Sequence, residues 1–389
     1  MPKNVVVCCD GTANEFAKHN TNVVKLYSVL QHDPTRQVTY YHPGLGTMEP
    51  AGALTTFARK LTKILGMAIG YGLANDIRDA YTFIMNHFEE GDRLFLFGFS
   101  RGAYTVRAVA SLLHMYGLIR PGNEPLVPYA IRMMMAIERA RGADSKHSDV
   151  AEYFDLAGDF KAAMSGIECK PWFVGVWDTV SSVGWIENPL KLPYIADNPG
   201  IEFGRHAIAI DERRAFFRNH LWRLPPDPRQ GQHGPKDLKQ VWFPGVHCDV
   251  GGGYSEAESG LANIALEWML DEATASGLAV NEAKRDKILA RSGIGSHVPP
   301  NPLADAHESL TGAWHLAEYV PKKHFNWKSG KEERRMNHHR RRTIESGSHV
   351  HIAAFERGDE YRKRLPPNVV WVGKAASPAA SDQPVVEPA

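Results

Sequence analysis

The chain has 389 residues, is 43% hydrophobic and 23% charged, and carries a formal net charge of +1. That composition excludes a disordered or fibrous class and is that of a soluble globular chain with ample length for a large core. The near-zero charge excludes a global field that would gather nucleic acid. Cys8, Cys9, Cys169 and Cys248 form no Cys-x-x-Cys pair. They read as buried reduced thiols, which points to synthesis in a reducing, cytoplasmic compartment.

Val5 to Cys9 reads as a first, fully buried strand, too short an apolar run for a signal peptide. It ends in the polar loop Asp10-Gly11-Thr12-Ala13-Asn14. In open α/β sheets, loops at the C-terminal strand edge bind ligands. Three readings compete there. The backbone N–H groups of Gly11 and Thr12 can form part of an oxyanion hole. Asp10 can belong to an aspartate-nucleophile phosphotransferase, although Cys8 stands where the first Asp of that Asp-x-Asp-Gly-Thr pattern belongs. Asp10 can also simply cap backbone N–H groups in a turn.

Asn20–Leu30 follows as a helix, Gln37–Tyr41 as a second strand, and the loop His42–Thr47 as a turn. Residues 54–74 form a basic amphipathic helix, which suits a membrane surface or, equally, a core-facing surface helix. Its apolar stretch from Ile64 to Ala74 is eleven residues with three glycines. A membrane-spanning helix needs about 20. Asn75–Phe88 is read as a separate helix.

Residues 93–107, RLFLFGFSRGAYTVR, hold the most chemistry. Leu94–Phe97 reads as a buried strand, Gly98-Phe99-Ser100-Arg101-Gly102 follows at once, and Ala103, Val106, Ala110 and Leu113 recur at helical spacing. Strand, Gly-x-Ser-x-Gly, helix is the context of a nucleophile elbow. It presents Ser100 at a tip and places the Arg101 N–H near any developing oxyanion. The competing reading makes Ser100 a helix N-cap.

Residues 121–171 read as a helical insertion or cap. Trp172–Trp177 is a strand that ends at Asp178, the candidate orienting acid, with a helix N-cap as its alternative role. Gly204–Arg218 holds a helix or strand. Val241–Val246 is a strand interrupted by Pro244, and His247-Cys248-Asp249-Val250-Gly251-Gly252-Gly253 follows. An imidazole at that edge can take the serine proton and return it to the leaving group. His247 and Asp249 could ligate a metal, but no further ligand spacing lies nearby. Acid-before-histidine order is also met by Asp249 with His307 or His351. Residues 259–276 form a helix. Residues 322–342 hold nine Lys or Arg and two Glu. They read as a solvated basic insertion, a surface that anionic lipid would attract. Val350–Phe355 and Val369–Val372 read as late strands, and residues 373–389 as a disordered tail.

Asp10-Gly11-Thr12-x-Asn14, Gly98-Phe99-Ser100-Arg101-Gly102-Ala103, Trp177-Asp178-Thr179-Val180 and His247-x-Asp249-Val250-Gly251-Gly252-Gly253, in that order, resemble the α/β-hydrolase family of the type VI secretion phospholipase effectors. The resemblance runs over roughly residues 4–320. It implies a mostly parallel central sheet flanked by helices, in a single catalytic domain over 1–372. It also implies esterase or phospholipase chemistry by a Ser-Asp-His triad. Ser100 is then nucleophile, Asp178 orienting acid and His247 base. Arg101, Gly11 and Thr12 donate to the oxyanion, and Asp10 and Asp249 support. Neither metal nor organic cofactor is needed. The partners implied are an ester or phospholipid substrate and peripheral membrane contact, with delivery by a secretion system. Against that pattern the sequence is short, and the expectation is that it lacks the large C-terminal membrane-targeting module of some effectors. The rival classes are a ligand-binding scaffold that has lost turnover and the Asp10-dependent phosphotransferase.

Overall fold

The structure is a computed structural model. It describes residues 2–11, 20–44, 56–142, 147–180, 184–185, 188–189, 192–215, 217–223, 234–293, 295–312, 314–319, 321–326 and 331–374. Of 56–71 and of the hairpin at 322–333 it describes backbone alone. Thr12, the loop at 45–55 and the tail from 375 therefore lie outside the described residues.

Eight strands form one parallel sheet: β1 (Asn4–Cys9), β2 (Gln37–His42), β3 (Arg93–Phe99), β4 (Pro171–Trp177), β5 (Phe203–Ala209), β6 (Asp237–Phe243), β7 (His349–His351) and β8 (Val370–Val372), in the order β8-β7-β6-β5-β4-β3-β1-β2. Every ladder in it is parallel. A parallel sheet is covered on both faces, so its strands are apolar on both. β1 is buried along its whole length. Its Val5, Val7 and Cys9 enter one core and Val6 and Cys8 the other, as strand alternation requires. This is an α/β-hydrolase-like sheet with helices on both sides.

One core is closed by α2 (Thr56–His87), α3 (Arg101–Tyr116), α4 (Val127–Gly142) and α5 (His147–Met164); the other by α1 (Asn22–Val29) and α7 (Gly260–Ala275). Two predicted helices over 54–88 are thus one continuous helix, because Ala74-Asn75 carries no breaker strong enough to end it. The helices of the 121–171 insertion pack against α2 and α3. Phe160 of α5 meets Tyr116, at the end of α3 farthest from Ser100. The strand foreseen at 350–355 stops at His351, whose Nδ1 accepts the Ala353 N–H and starts a short helix, Ile352–Glu356.

Strand order fixes where a site can form. From β1 the chain moves outward to β2, then returns to the other side of β1 to lay down β3. Adjacent connections depart to opposite faces at that point, opening a crevice at the carboxyl ends of β1 and β3. Asp10 and Ser100 stand at those two ends.

Candidate active site

Ser100 sits between β3 and α3 with φ 56° and ψ −117°, a conformation costly for any residue with a Cβ. Two glycines make the turn fit. A Cβ on Gly98 would stand 2.5 Å from the Gly102 carbonyl oxygen, and one on Gly102 would collide with the carbonyls of Cys9 and Asp10. The elbow is therefore pressed directly onto the end of β1. The Ser100 side chain does not cap α3. Its Oγ lies 2.8 Å from His247 Nε2.

His247 begins a five-residue helix, α6 (His247–Gly251), beyond β6. Asp249 caps that turn by accepting the Val246 N–H at 2.9 Å. The imidazole lies between two rings, Phe99 at 4.6 Å and Phe217 at 4.9 Å between centroids. Burial pushes its pKa down, against the opposing pull of Asp178, so the ring rests neutral and able to accept a proton. Its Nδ1 lies 2.6 Å from Asp178 Oδ2. Nδ1 is then the protonated nitrogen, and Nε2 offers its lone pair to the serine.

Asp178 follows β4, again with positive φ, at 39°. It is fully buried. Oδ1 accepts the Ala209 N–H at 3.0 Å and Arg342 Nη1 at 2.5 Å; Oδ2 accepts His247 and Arg342 Nη2, the latter at 3.0 Å. Burial alone would raise this carboxyl, but the Arg342 guanidinium and His247 outweigh it and hold it well below the usual carboxylate range.

Two partners were not foreseen. Arg342 belongs to the basic run read as a solvated insertion, yet its side chain is 6% exposed. The run splits: Lys322–Asn326 and Lys331–Arg335 form a hairpin, and the chain then turns inward. Glu212 accepts the His247 N–H at 3.2 Å and pairs with Arg214, which holds it down to about 2 against the effect of burial. Neither residue sits in a motif, so no local signal marks it.

The remaining candidates separate. Asp10 accepts from Thr21 Oγ1 at 2.6 Å, Tyr41 Oη at 2.9 Å and the Gly11 N–H at 2.7 Å. Its carboxylate thus joins Gly11, Thr21 and Tyr41 at the end of β1. Gly11, foreseen as an oxyanion donor, has that N–H turned toward Asp10 instead, because the adjacent buried carboxylate needs donors. His307 pairs through Nδ1 with Asp249 at 2.6 Å and stacks on Tyr254. His351 stacks on Phe243. Among the described residues no group of three or more His, Cys, Asp or Glu could hold a metal. No described helix is long and apolar enough to cross a membrane.

An uncharacterized protein of Saccharomyces cerevisiae is 35% identical over 431 aligned positions, which cover 79% of this chain. The chain spans 62% of that relative's length. A crystal structure of an uncharacterized protein from Pseudomonas aeruginosa aligns over 72% of this chain and 46% of its own, with 20% identity and TM-score 0.40. The Tle1 effector bound to the VgrG spike of the type VI secretion system aligns over 67% and 52%, with 16% identity and TM-score 0.34. The family model for the catalytic domain of Tle1-like type VI secretion phospholipase effectors matches residues 3–272, and the chain belongs to that family.

Proposed function

We infer that the protein is a serine hydrolase of carboxylic esters, acting on lipid or phospholipid acyl esters. The observation that carries the reading is the unbroken relay Ser100 Oγ, His247 Nε2, His247 Nδ1, Asp178 Oδ2, with links of 2.8 and 2.6 Å. Membership in a phospholipase effector family supports the substrate class.

Ser100 Oγ attacks the ester carbonyl carbon while His247 Nε2 takes the hydroxyl proton. Asp178 stabilises the imidazolium that forms and keeps the ring in the productive tautomer. The Arg101 N–H lies in the first turn of α3 and has no partner within the helix, so it is the first donor to the oxyanion. With Gly11 engaged by Asp10, the other donor foreseen in the loop after β1, the Thr12 N–H, lies outside the described residues. The imidazolium protonates the departing alcohol, leaving an acyl-Ser100 ester. Water then attacks that ester, its proton passes to Nε2, and Ser100 leaves with the proton restored.

A fluorophosphonate probe tests the nucleophile, and a panel of acyl esters and phospholipids tests the substrate class. Labelling and hydrolysis that vanish together in Ser100→Ala support the enzyme. Wild-type protein that takes no label and cleaves no ester leaves the scaffold reading. A magnesium-dependent activity lost in Asp10→Asn but kept in Ser100→Ala would favour the phosphotransferase.

A further inference from the structure

The structure assigns to Arg342 the role of positioning residue for this hydrolase site: its guanidinium holds Asp178 ionised and aimed at His247. The assignment rests on the serine-hydrolase reading for its catalytic consequence.

The geometry is specific. Arg342 meets both carboxylate oxygens of Asp178 in the fork-on-fork arrangement that only a planar guanidinium provides. Its remaining capacity goes to backbone. Nε and Nη2 donate to the Phe217 carbonyl at 3.1 and 2.5 Å, and Nη1 to that of Ala209 at 3.1 Å. The cation is thus built into the wall of the site and is not a passing surface ion. The segment that carries it is anchored as well. Asn337 donates to the Arg213 carbonyl at 2.8 Å and to buried Glu318, and accepts from Arg218 at 2.9 Å.

The charges around the pair make a cation necessary. Asp178 is faced by His247 from α6, by His206 from β5 and by Arg342. Burial lowers His206 to about 3, with Arg107 adding to the effect, and its Nε2 accepts the Thr179 N–H, so it brings no positive charge. His247 in turn is faced by Arg214 and Glu212, which pair with each other, and burial keeps the neighbouring Cys248 thiol protonated. With His247 neutral in the resting site, Arg342 is the cation among these groups that compensates the buried carboxylate. A buried ion without its partner is strongly destabilised and tends to take up a proton. A protonated Asp178 could not stabilise the imidazolium. Residue 342 also lies beyond residue 272, where the family match ends, so the site draws on chain outside the matched region.

The test is the pH dependence of fluorophosphonate inactivation for wild type, Arg342→Gln and Arg342→Lys, with thermal unfolding of each. Arg342→Gln should slow inactivation at pH 7 by about 10- to 100-fold and move the acid limb upward by about one pH unit or more. Arg342→Lys should recover part of the rate, because it restores charge but not the fork. An unmoved acid limb in folded Arg342→Gln overturns the assignment, as does Arg342→Lys being no better than Arg342→Gln. If Arg342→Gln does not fold, Asp178→Asn/Arg342→Gln decides: the double variant should fold better than Arg342→Gln alone, because the stranded charge is gone. An equally unstable double variant overturns the assignment. A wild type that takes no label defeats the hydrolase reading instead, and the unfolding comparison still decides whether the guanidinium holds the carboxylate.

Discussion

Two histidine–carboxylate pairs lie close together in this fold. His247 meets Asp178 and His307 meets Asp249, each with Nδ1 2.6 Å from a carboxylate oxygen. By that distance they are indistinguishable. Their surroundings differ. Asp178 is fully buried with a guanidinium on both oxygens and is held low. Among the described residues no guanidinium pairs with Asp249, and burial raises it despite hydrogen bonds from Val246 and His307. His247 is enclosed between Phe99 and Phe217 and reaches Ser100, whereas the His307 side chain is 24% exposed and stacks on Tyr254. The short bond alone does not make a catalytic pair. On the serine-hydrolase reading, the His247 pair is set apart by Ser100 on the second nitrogen, a dry ring and a charge that keeps the acid ionised.

The contrast can be broken by substitution. Ser100→Ala and His247→Gln should each lower kcat for ester hydrolysis by about 10⁵-fold or more, in steady-state assays on the best ester found. Near-equal losses in the double variant would mark the two as one unit; additive losses would argue against the relay. Asp178→Asn should cost about 10⁴-fold by stranding the imidazole in the wrong tautomer. A tenfold loss there would shift the orienting role elsewhere.

The acid limb of wild-type kcat/KM should lie below pH 6.5, since burial depresses His247 and activity is lost as the ring charges. An acid limb above 6.5 would show the ring to be better solvated than Phe99 and Phe217 allow. Stability should show its own acid response. His206 and His351 are buried and lowered to about 3. The unfolded chain binds their protons from about pH 6.5 downward while the native state refuses them. Their contribution is therefore full above 6.5 and is lost progressively as pH falls toward 3. Urea unfolding across that window checks it. His307→Gln should have the least effect, less than about tenfold in kcat/KM. A larger loss would bring the second pair into the chemistry.

What could be read in advance follows a physical line. Ser100 and Asp178 directly follow strands and His247 starts the short helix just beyond β6, and parallel pairing brings the carboxyl ends of those strands to one edge. A buried apolar run followed by a polar residue is a local pattern, so each position was legible alone. The parallel sheet was legible for the same reason: β1 and β3 are apolar on both faces. Arg342 and Glu212 were not. Their importance depends on which buried group they meet, and Arg342 lies 164 residues from Asp178. A basic run looks solvated wherever it goes, because composition does not record the one side chain that turns inward. The Gly11 donor failed more locally: the sequence places its N–H beside the crevice but cannot say that Asp10 takes it.

The backbone at Ser100 has a consequence for the protein's evolution. Both Ser100 and Asp178 hold left-handed dihedrals that a side chain resists, at about 1–3 kcal/mol each. Selection for robustness alone would replace Ser100 by glycine, which adopts such angles freely. Ser100→Gly should accordingly melt above Ser100→Ala while being equally inert. The serine is thus an unfavourable choice for the fold, and a lineage that ceased to need turnover would have reason to lose it early. Among relatives of this chain, glycine at the elbow tip would be the mark of a retired enzyme.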